Sequence, residues 1–109
     1  MRPVRDYNVL MSSEAYIIIR QNEYMRKFRQ AGATDAARAR PLADLRIKPD
    51  RIFRRMENKD IFRPGRAPET YYMDERAAEE FVEARRRRMF YLLLLGLILA
   101  AVLFFLNRR

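Results

Sequence analysis

Residues 85–109 read RRRRMFYLLLLGLILAAVLFFLNRR, and this stretch decides how the chain is organised. Within it, residues 89–106 are 18 consecutive positions without a charged side chain or a proline. As a helix they extend about 27 Å, close to the roughly 30 Å hydrocarbon core of a bilayer. The rest of the chain is too short to bury a helix that is apolar on all sides. The stretch is therefore predicted to be a transmembrane helix, rather than a core helix or a cleaved signal sequence.

The charges around this span predict its orientation. Of the 23 lysines and arginines, only Arg108 and Arg109 follow it. Because basic residues accumulate on the cytoplasmic side of membrane proteins, the N-terminal region is expected in the cytoplasm. The prediction is a single-pass, tail-anchored protein of a membrane, in the first place a bacterial inner membrane, with a three-residue tail on the far side. The side chains expected at the interface, with anionic lipid headgroups as partners, are Arg85, Arg86, Arg87, Arg88, Phe90 and Tyr91.

Small residues in the span suggest a surface for helix packing. Gly96 and Ala100 are four positions apart, and Ala101 widens the flat patch that they form. In hydrocarbon such a patch lets two helix backbones approach closely. The alternative is that these residues occur by chance, because Gly and Ala are common in transmembrane helices, and the sequence leaves both interpretations open.

The composition excludes several kinds of catalytic chemistry. Cysteine, histidine and tryptophan are absent, so the chain has no thiolate nucleophile, disulfide, Cys/His zinc site, histidine base or imidazole ligand. The carboxylate pairs Asp74/Glu75 and Glu79/Glu80 fall at the start of a predicted helix, where acidic residues favour the helix dipole. The glycines are isolated and build no phosphate-binding loop. We therefore expect no enzymatic activity, no cofactor and no metal.

A small basic domain is predicted for residues 12–84, after an extended arm at residues 1–11. Its first helix begins at Ser12 or Ser13 and ends at Gly32. The opposite side of this helix carries Ile19 and Tyr16, which are a candidate partner contact or simply exposed apolar residues. The apolar stripe expected to face the core consists of Ile17, Ile18, Tyr24, Met25, Phe28 and Ala31.

Residues 41–73 predict two short helices followed by a hairpin. A short helix is expected from Pro41 to Leu45, and a second helix at 49–59, opened by Pro49. Ile52, Phe53 and Met56 share one face of the second helix. The β-prone runs DIFR and TYYM flank the turn cluster PGRAPE, and Asp74 caps a helix that continues into the span.

This order of helices and hairpin, with the DIF…TYYMDE ending, resembles the winged helix-turn-helix superfamily over residues 14–76. The predicted fold class is mainly α with a small β-hairpin, a winged-helix-like cytosolic domain continued by one long C-terminal transmembrane helix. The resemblance implies a recognition helix at 49–59 and a wing at 61–73, with its tip at 64–69.

Basic residues on these two elements suggest a docking or nucleic-acid-binding face. Arginine and lysine neutralise phosphates, and arginine also pairs with guanine edges. The alternatives are a solvated basic face or one attracted to anionic lipid, and Glu57 and Asp60 dilute the positive charge. Winged helices also dock proteins. The residues of this candidate face are Arg51, Arg54, Arg55, Lys59, Arg63 and Arg66.

The sequence thus predicts a non-enzymatic accessory subunit of a larger membrane protein complex, of the photosynthetic or respiratory type. Its span is expected to pack on core subunits and its domain on their cytoplasmic face. The alternative is a membrane-tethered winged-helix regulator that binds DNA. Binding of nucleic acid distinguishes this hypothesis from the accessory subunit. A third hypothesis is a small membrane-active protein that self-associates.

Overall fold

The computed structural model describes residues 13–108, so the arm predicted for residues 1–11 lies outside the described residues. Two compact units make up the chain, Met1–Ala78 and Glu79–Arg109. The described residues are mainly helical, with one two-stranded antiparallel hairpin and one long apolar C-terminal helix. This confirms the predicted fold class in its coarse form.

The first helix, α1, spans Ser13–Ala31 and confirms the predicted bounds. It ends at Gly32, whose φ of 70° is the left-handed conformation that glycine adopts without strain. The predicted apolar stripe faces the core, and the side chains that are fully buried are Tyr24, Met25 and Phe28. Tyr16 and Ile19 are exposed, as expected for the opposite side.

The short helix predicted from Pro41 to Leu45 is wrong. After a 3₁₀ helix at Ala36–Arg38, the chain forms successive turns in which each N–H donates to the carbonyl three residues before it, as from Leu45 to Leu42 at 3.1 Å. Arg46 has a φ of 57°, which ends the segment before an α-helical turn is complete. A segment of this length cannot offset the cost of helix nucleation.

Helix α2 spans Arg51–Asn58 and begins two residues later than predicted. The first helical residue is Arg51 rather than Pro49. Asp50 is the cap, because its backbone is extended and its Oδ1 accepts the N–H of Phe53 at 2.9 Å. Pro49 therefore precedes the helix. Phe53 and Met56 are buried, and Ile52 is half-buried, which confirms the predicted apolar face.

The same ending occurs in α1, in α2 and in the turns at 42–46, where a residue in the left-handed conformation is followed by a buried apolar residue. In each, the N–H of the apolar residue donates to the carbonyl five positions earlier, which is the Schellman arrangement. The left-handed residues are Gly32, Arg46 and Asp60, and the buried residues that follow them are Ala33, Ile47 and Ile61. These ends turn the chain into the core each time.

Replacing Asp60 with glycine is expected to stabilise the N-terminal unit. A non-glycine residue at the φ of 63° is strained, and glycine relieves that strain by about 1 kcal/mol before its own entropy cost. The measurement is the urea midpoint of the full chain in nonionic detergent, followed by near-ultraviolet circular dichroism. The matched control is Asn58→Gly, at the last helical residue of α2, which should lower the midpoint. A fall with Asp60→Gly would contradict the prediction.

The hairpin consists of β1, Phe62–Pro64, and β2, Tyr71–Met73, paired so that Phe62 faces Met73 and Pro64 faces Tyr71. It confirms the hairpin predicted at 61–73. Arg40 adds an isolated antiparallel bridge to Tyr71, with backbone hydrogen bonds of 2.9 and 2.8 Å. The segment between the 3₁₀ helix and α2 is thereby fixed to the hairpin.

The core is built around three stacked phenylalanine rings, one each from α1, α2 and β1. The ring of Phe62 lies 4.6 Å from that of Phe28 and 4.8 Å from that of Phe53, measured between centroids. Tyr24 and Tyr71 each meet Phe53 edge-on at 5.9 Å. Such pairs add about 0.5–1.5 kcal/mol each to the burial of apolar area.

The last helix, α3, spans Glu75–Asn107. Asp74 caps it as predicted, because its Oδ1 accepts the N–H of Ala77 at 3.1 Å. Ala78, in its first turn, is fully buried. The helix then continues through the arginines and the whole apolar stretch without a break.

Candidate membrane anchor and docking groove

The apolar part of α3 is long and apolar enough to cross a membrane, and α3 is the single such helix among residues 13–108. None of its most apolar 18-residue window is buried. The exposed fraction of its leucines runs from 44% at Leu94 to 70% at Leu93, so no face is covered. An uncovered apolar surface of this size is stable in lipid and unfavourable in water.

The six predicted interface residues lie on consecutive turns of α3. The guanidinium of Arg85 lies over the ring of Phe81, 5.2 Å from its centroid. Phe90 and Tyr91 meet edge-on at 6.0 Å, and only Met89 separates them from Arg86, Arg87 and Arg88. A belt of guanidinium groups beside aromatic rings suits the headgroup region of a bilayer.

The predicted packing patch lies on an exposed part of α3. Ala100 and Ala101 are exposed, and a Cβ added at Gly96 would meet no atom within 4 Å. A larger side chain at Gly96 therefore leaves the fold of this chain undisturbed. Any effect of such a substitution reports on a neighbouring helix.

The structure separates the six residues of the predicted basic face. Arg51 and Arg55 lie together, beside Ile17 and Ile52, in a depression of about 160 Å³ between α1 and α2. Arg54 lies on a different surface, in a groove that Tyr71 also lines. Lys59 is the C-cap of α2, Arg63 lies on β1, and Arg66 lies in the hairpin tip.

Two of these arginines are engaged by acidic side chains. Arg54 Nη1 lies 3.0 Å from Glu57 Oε1, and hydrogen bonds to Glu57 and Tyr71 raise the pKa of Arg54. Arg63 Nε lies 3.8 Å from Asp74 Oδ2. Their charges are partly neutralised within the domain, so they offer less to an external phosphate than the sequence suggests.

An open groove of about 640 Å³ lies beside α2, and we call it the α2 groove. The turns at 42–48, the side chain of Arg54 and strand β2 form its walls. Its apolar lining consists of Leu42, Ala43, Ile47, Pro49 and Tyr71, and its charged lining consists of Arg46, Lys48, Arg54 and Glu69. It is larger than the depression between α1 and α2.

The sequence prediction did not include Arg46 and Lys48 in the candidate face, although both line the α2 groove. The available signal was the run RIKP, in which two basic residues flank an isoleucine. Ile47 is 4% exposed, so this basic–apolar–basic pattern marks a segment whose isoleucine is buried while the two basic side chains face solvent. Arg46 and Lys48 are both exposed.

A polar network ties α1 to the start of α2 and thereby positions one wall of the α2 groove. The hydroxyl of Tyr24 donates to Asp50 Oδ2 at 2.7 Å, and Arg20 Nη2 donates to that hydroxyl at 2.7 Å. Burial and the bond to Asp50 raise the pKa of Tyr24 to about 12. Burial opposes ionisation of Asp50, but bonds from Phe53 N–H and Tyr24 and the charge of Arg20 outweigh it and lower the pKa of Asp50.

The lowered pKa of Asp50 predicts a loss of stability in acid. A carboxyl whose pKa is lower in the folded state stabilises that state above its unfolded pKa of about 4, and this contribution disappears as the pH falls through the folded value. Asp50→Asn keeps the cap but loses the charge. The loss of stability is limited to about 1 kcal/mol near neutral pH, because the side chain is 40% exposed and solvent screens its charge. Urea midpoints of both chains should converge below about pH 4.

The matched control is Asp35→Asn, which changes the cap of the exposed 3₁₀ helix, where Oδ1 accepts the N–H of Arg38 at 2.9 Å. Its difference from the parent chain should be smaller than that of Asp50→Asn, because no tyrosine bonds to Asp35 among the residues that the structure describes. A constant difference between Asp50→Asn and the parent at all pH values would contradict the assignment.

Among residues 13–108, no group of three acidic side chains lies close enough together to hold a metal ion. The described site is thus an exposed apolar helix with a basic and aromatic belt, together with a groove that joins cations to an apolar floor. The chain matches no protein-family model, no curated protein and no solved structure.

Proposed function

We propose that this chain is a non-enzymatic, single-pass accessory subunit of a larger membrane protein complex. The observation that carries the proposal is the apolar stretch of α3, which is exposed on every face. Such a helix is suited to contact lipid and neighbouring transmembrane helices. The small N-terminal unit adds a charged groove that is suited to bind another protein. Photosynthetic and respiratory complexes are the hosts we expect first.

The proposal places the N-terminal unit in the cytoplasm, at a bacterial inner membrane. The support is the charge asymmetry, because 21 of the 23 basic residues precede the span. Protease added to inside-out vesicles should degrade the N-terminal unit, and protease added to right-side-out vesicles should spare it. The reverse pattern would invert the topology and remove the cytoplasmic docking role.

Affinity purification from native membranes in mild detergent tests the proposal directly. The chain should copurify with the same membrane subunits at a fixed stoichiometry. A chain that runs alone after gentle solubilisation would contradict an accessory role.

Gly96→Leu is expected to reduce the recovery of those subunits by about tenfold, since blocking the close approach of two helices costs on the order of 1–2 kcal/mol. The stability of the isolated chain should stay the same, because the space around Gly96 is open. The measurement is quantitative mass spectrometry of the copurified subunits. Val102→Leu, which enlarges a residue on a different face of α3, is the matched control and should have no effect.

A second candidate function is a membrane-tethered winged-helix regulator that binds DNA. The observation that favours it is the bridge between Arg40 and Tyr71. Arg40 lies in the segment between α1 and α2, and the bridge adds a third strand position to the hairpin that follows α2. This supports the element order of a winged helix, in which α2 would enter the major groove. The full chain in nanodiscs would then bind duplex DNA with sequence preference and a steep salt dependence, and Arg54→Ala/Arg55→Ala would abolish the preference. Equal weak binding to any polyanion would contradict this function.

A further inference from the structure

The floor of the α2 groove is held rigidly by the core. Tyr71 packs edge-on against Phe53 at 5.9 Å and is bonded through its backbone to Arg40. Ile47 is 4% exposed and anchored by its N–H, which donates to the carbonyl of Leu42 at 3.0 Å. A preformed apolar floor loses little entropy when a ligand side chain settles on it.

The basic rim of the groove stands on an equally fixed backbone. The carbonyl of Arg46 accepts a hydrogen bond from Lys27 Nζ at 2.9 Å, and its N–H donates to Ala43 at 3.1 Å. Lys48 follows the buried Ile47 and precedes Pro49, whose ring restricts the backbone. Both cations are therefore presented at defined positions above the apolar floor.

The charge of the groove is unbalanced. Three cations and one carboxylate line it, which leaves a net charge of +2. Arg54 is already paired with Glu57 at 3.0 Å, whereas neither Arg46 nor Lys48 forms an ion pair through its side chain within residues 13–108. The groove thus presents two available cations beside an apolar surface. This combination favours a ligand that carries carboxylates next to an apolar side chain.

We infer that the α2 groove binds an acidic segment of a partner protein. One apolar side chain of that segment rests on Leu42, Ile47 and Tyr71, and flanking carboxylates pair with Arg46 and Lys48. A nucleic-acid backbone fits less well, because its phosphates carry no apolar group for the floor. The inference rests on the proposed function in that it takes the task of the domain to be protein docking.

The test uses the full chain in phosphatidylcholine nanodiscs and a phage-displayed library of random peptides. Selected peptides should carry two or more Asp or Glu residues around an apolar residue. Their affinity, measured by fluorescence polarisation, should fall about tenfold in Arg46→Ala/Lys48→Ala, as expected for the loss of two exposed ion pairs at a preformed site. The matched control is Arg51→Ala/Arg55→Ala, which removes the same charge outside the groove and should leave the affinity unchanged.

Any of the following results would overturn the inference. Peptides without acidic enrichment, or equally weakened by both double variants, would show that the groove does not recognise carboxylates. Duplex DNA that binds more tightly than the peptides, and loses affinity in Arg46→Ala/Lys48→Ala, would assign the groove to nucleic acid. Oligomers that dissociate in that variant would assign it to a second copy of the chain. If peptides fail but the chain still copurifies at fixed stoichiometry, this inference falls and the proposed function stands.

Discussion

Replacing Phe53 with alanine is expected to unfold the N-terminal unit at room temperature. Phe53 is 0% exposed and contacts rings from α1, β1 and β2, so that its removal leaves a cavity in the centre of the aromatic stack. Truncation of a buried phenylalanine costs about 3–5 kcal/mol, and a domain of this size has about 5 kcal/mol of stability or little more. The near-ultraviolet circular dichroism of the full chain in nonionic detergent should collapse.

Ile52→Ala is the matched control for this prediction. Ile52 is the preceding residue of α2 and is half-buried, so its truncation should lower the urea midpoint while leaving the fold intact at room temperature. The chain with Phe53→Ala should still resist extraction from membranes by carbonate, because insertion depends on the composition of residues 89–106. A native spectrum for Phe53→Ala would show that the stack is not the main source of stability.

Gly65→Ala is expected to cost the N-terminal unit about 2–3 kcal/mol. A Cβ at this position would overlap the Cβ of Ala39 and lie 2.7 Å from Thr70 Oγ1. Neither neighbour can move easily. Ala39 precedes the residue that is bridged to Tyr71, and the hydroxyl of the buried Thr70 donates to the carbonyl of Ala67 at 2.6 Å. Glycine is required here because the side chains of Ala39 and Thr70 occupy the space that a Cβ would need.

A second substitution distinguishes this steric cause from a loss of backbone flexibility. Ala39→Gly in the Gly65→Ala chain removes the worse of the two overlaps and should recover part of the lost urea midpoint. Gly96→Ala, in the open part of α3, should leave the midpoint unchanged. If Ala39→Gly only adds to the damage, the close approach of the two segments is not the reason for the glycine.

The elements that the sequence predicted correctly are those whose signals are local. The bounds of α1 follow from a serine, an apolar stripe and Gly32, and the hairpin follows from β-prone runs around a Pro/Gly cluster. The turns at 42–46 could not be predicted, because the residue that adopts the left-handed conformation is Arg46 and not the glycine that usually marks such a position. The start of α2 was misplaced because two sequence signals conflict there. Proline favours the first helical position, which points to Pro49, whereas aspartate favours the N-cap, and the hydrogen bond from Phe53 N–H to the Asp50 side chain makes Asp50 the cap.

The candidate site was less predictable than the fold. The interface belt and the small-residue patch depend on positions along one helix, so the sequence was sufficient to propose them. The α2 groove depends on residues that are far apart in the chain, from Leu42 to Tyr71, and no linear pattern joins them. The six basic residues were grouped because they lie on the predicted recognition helix and wing, whereas the structure places Arg51 and Arg55 in one depression and Arg54 in the α2 groove.

The aromatic stack has a consequence for how the N-terminal unit comes apart. Its three rings are contributed by α1, α2 and β1, and no two neighbouring elements can shield all of them from water. Partly assembled forms would therefore be scarcely populated. We expect a single sharp melting transition, in which amide protons of all three elements become exchangeable together, and no stable fragment survives limited proteolysis.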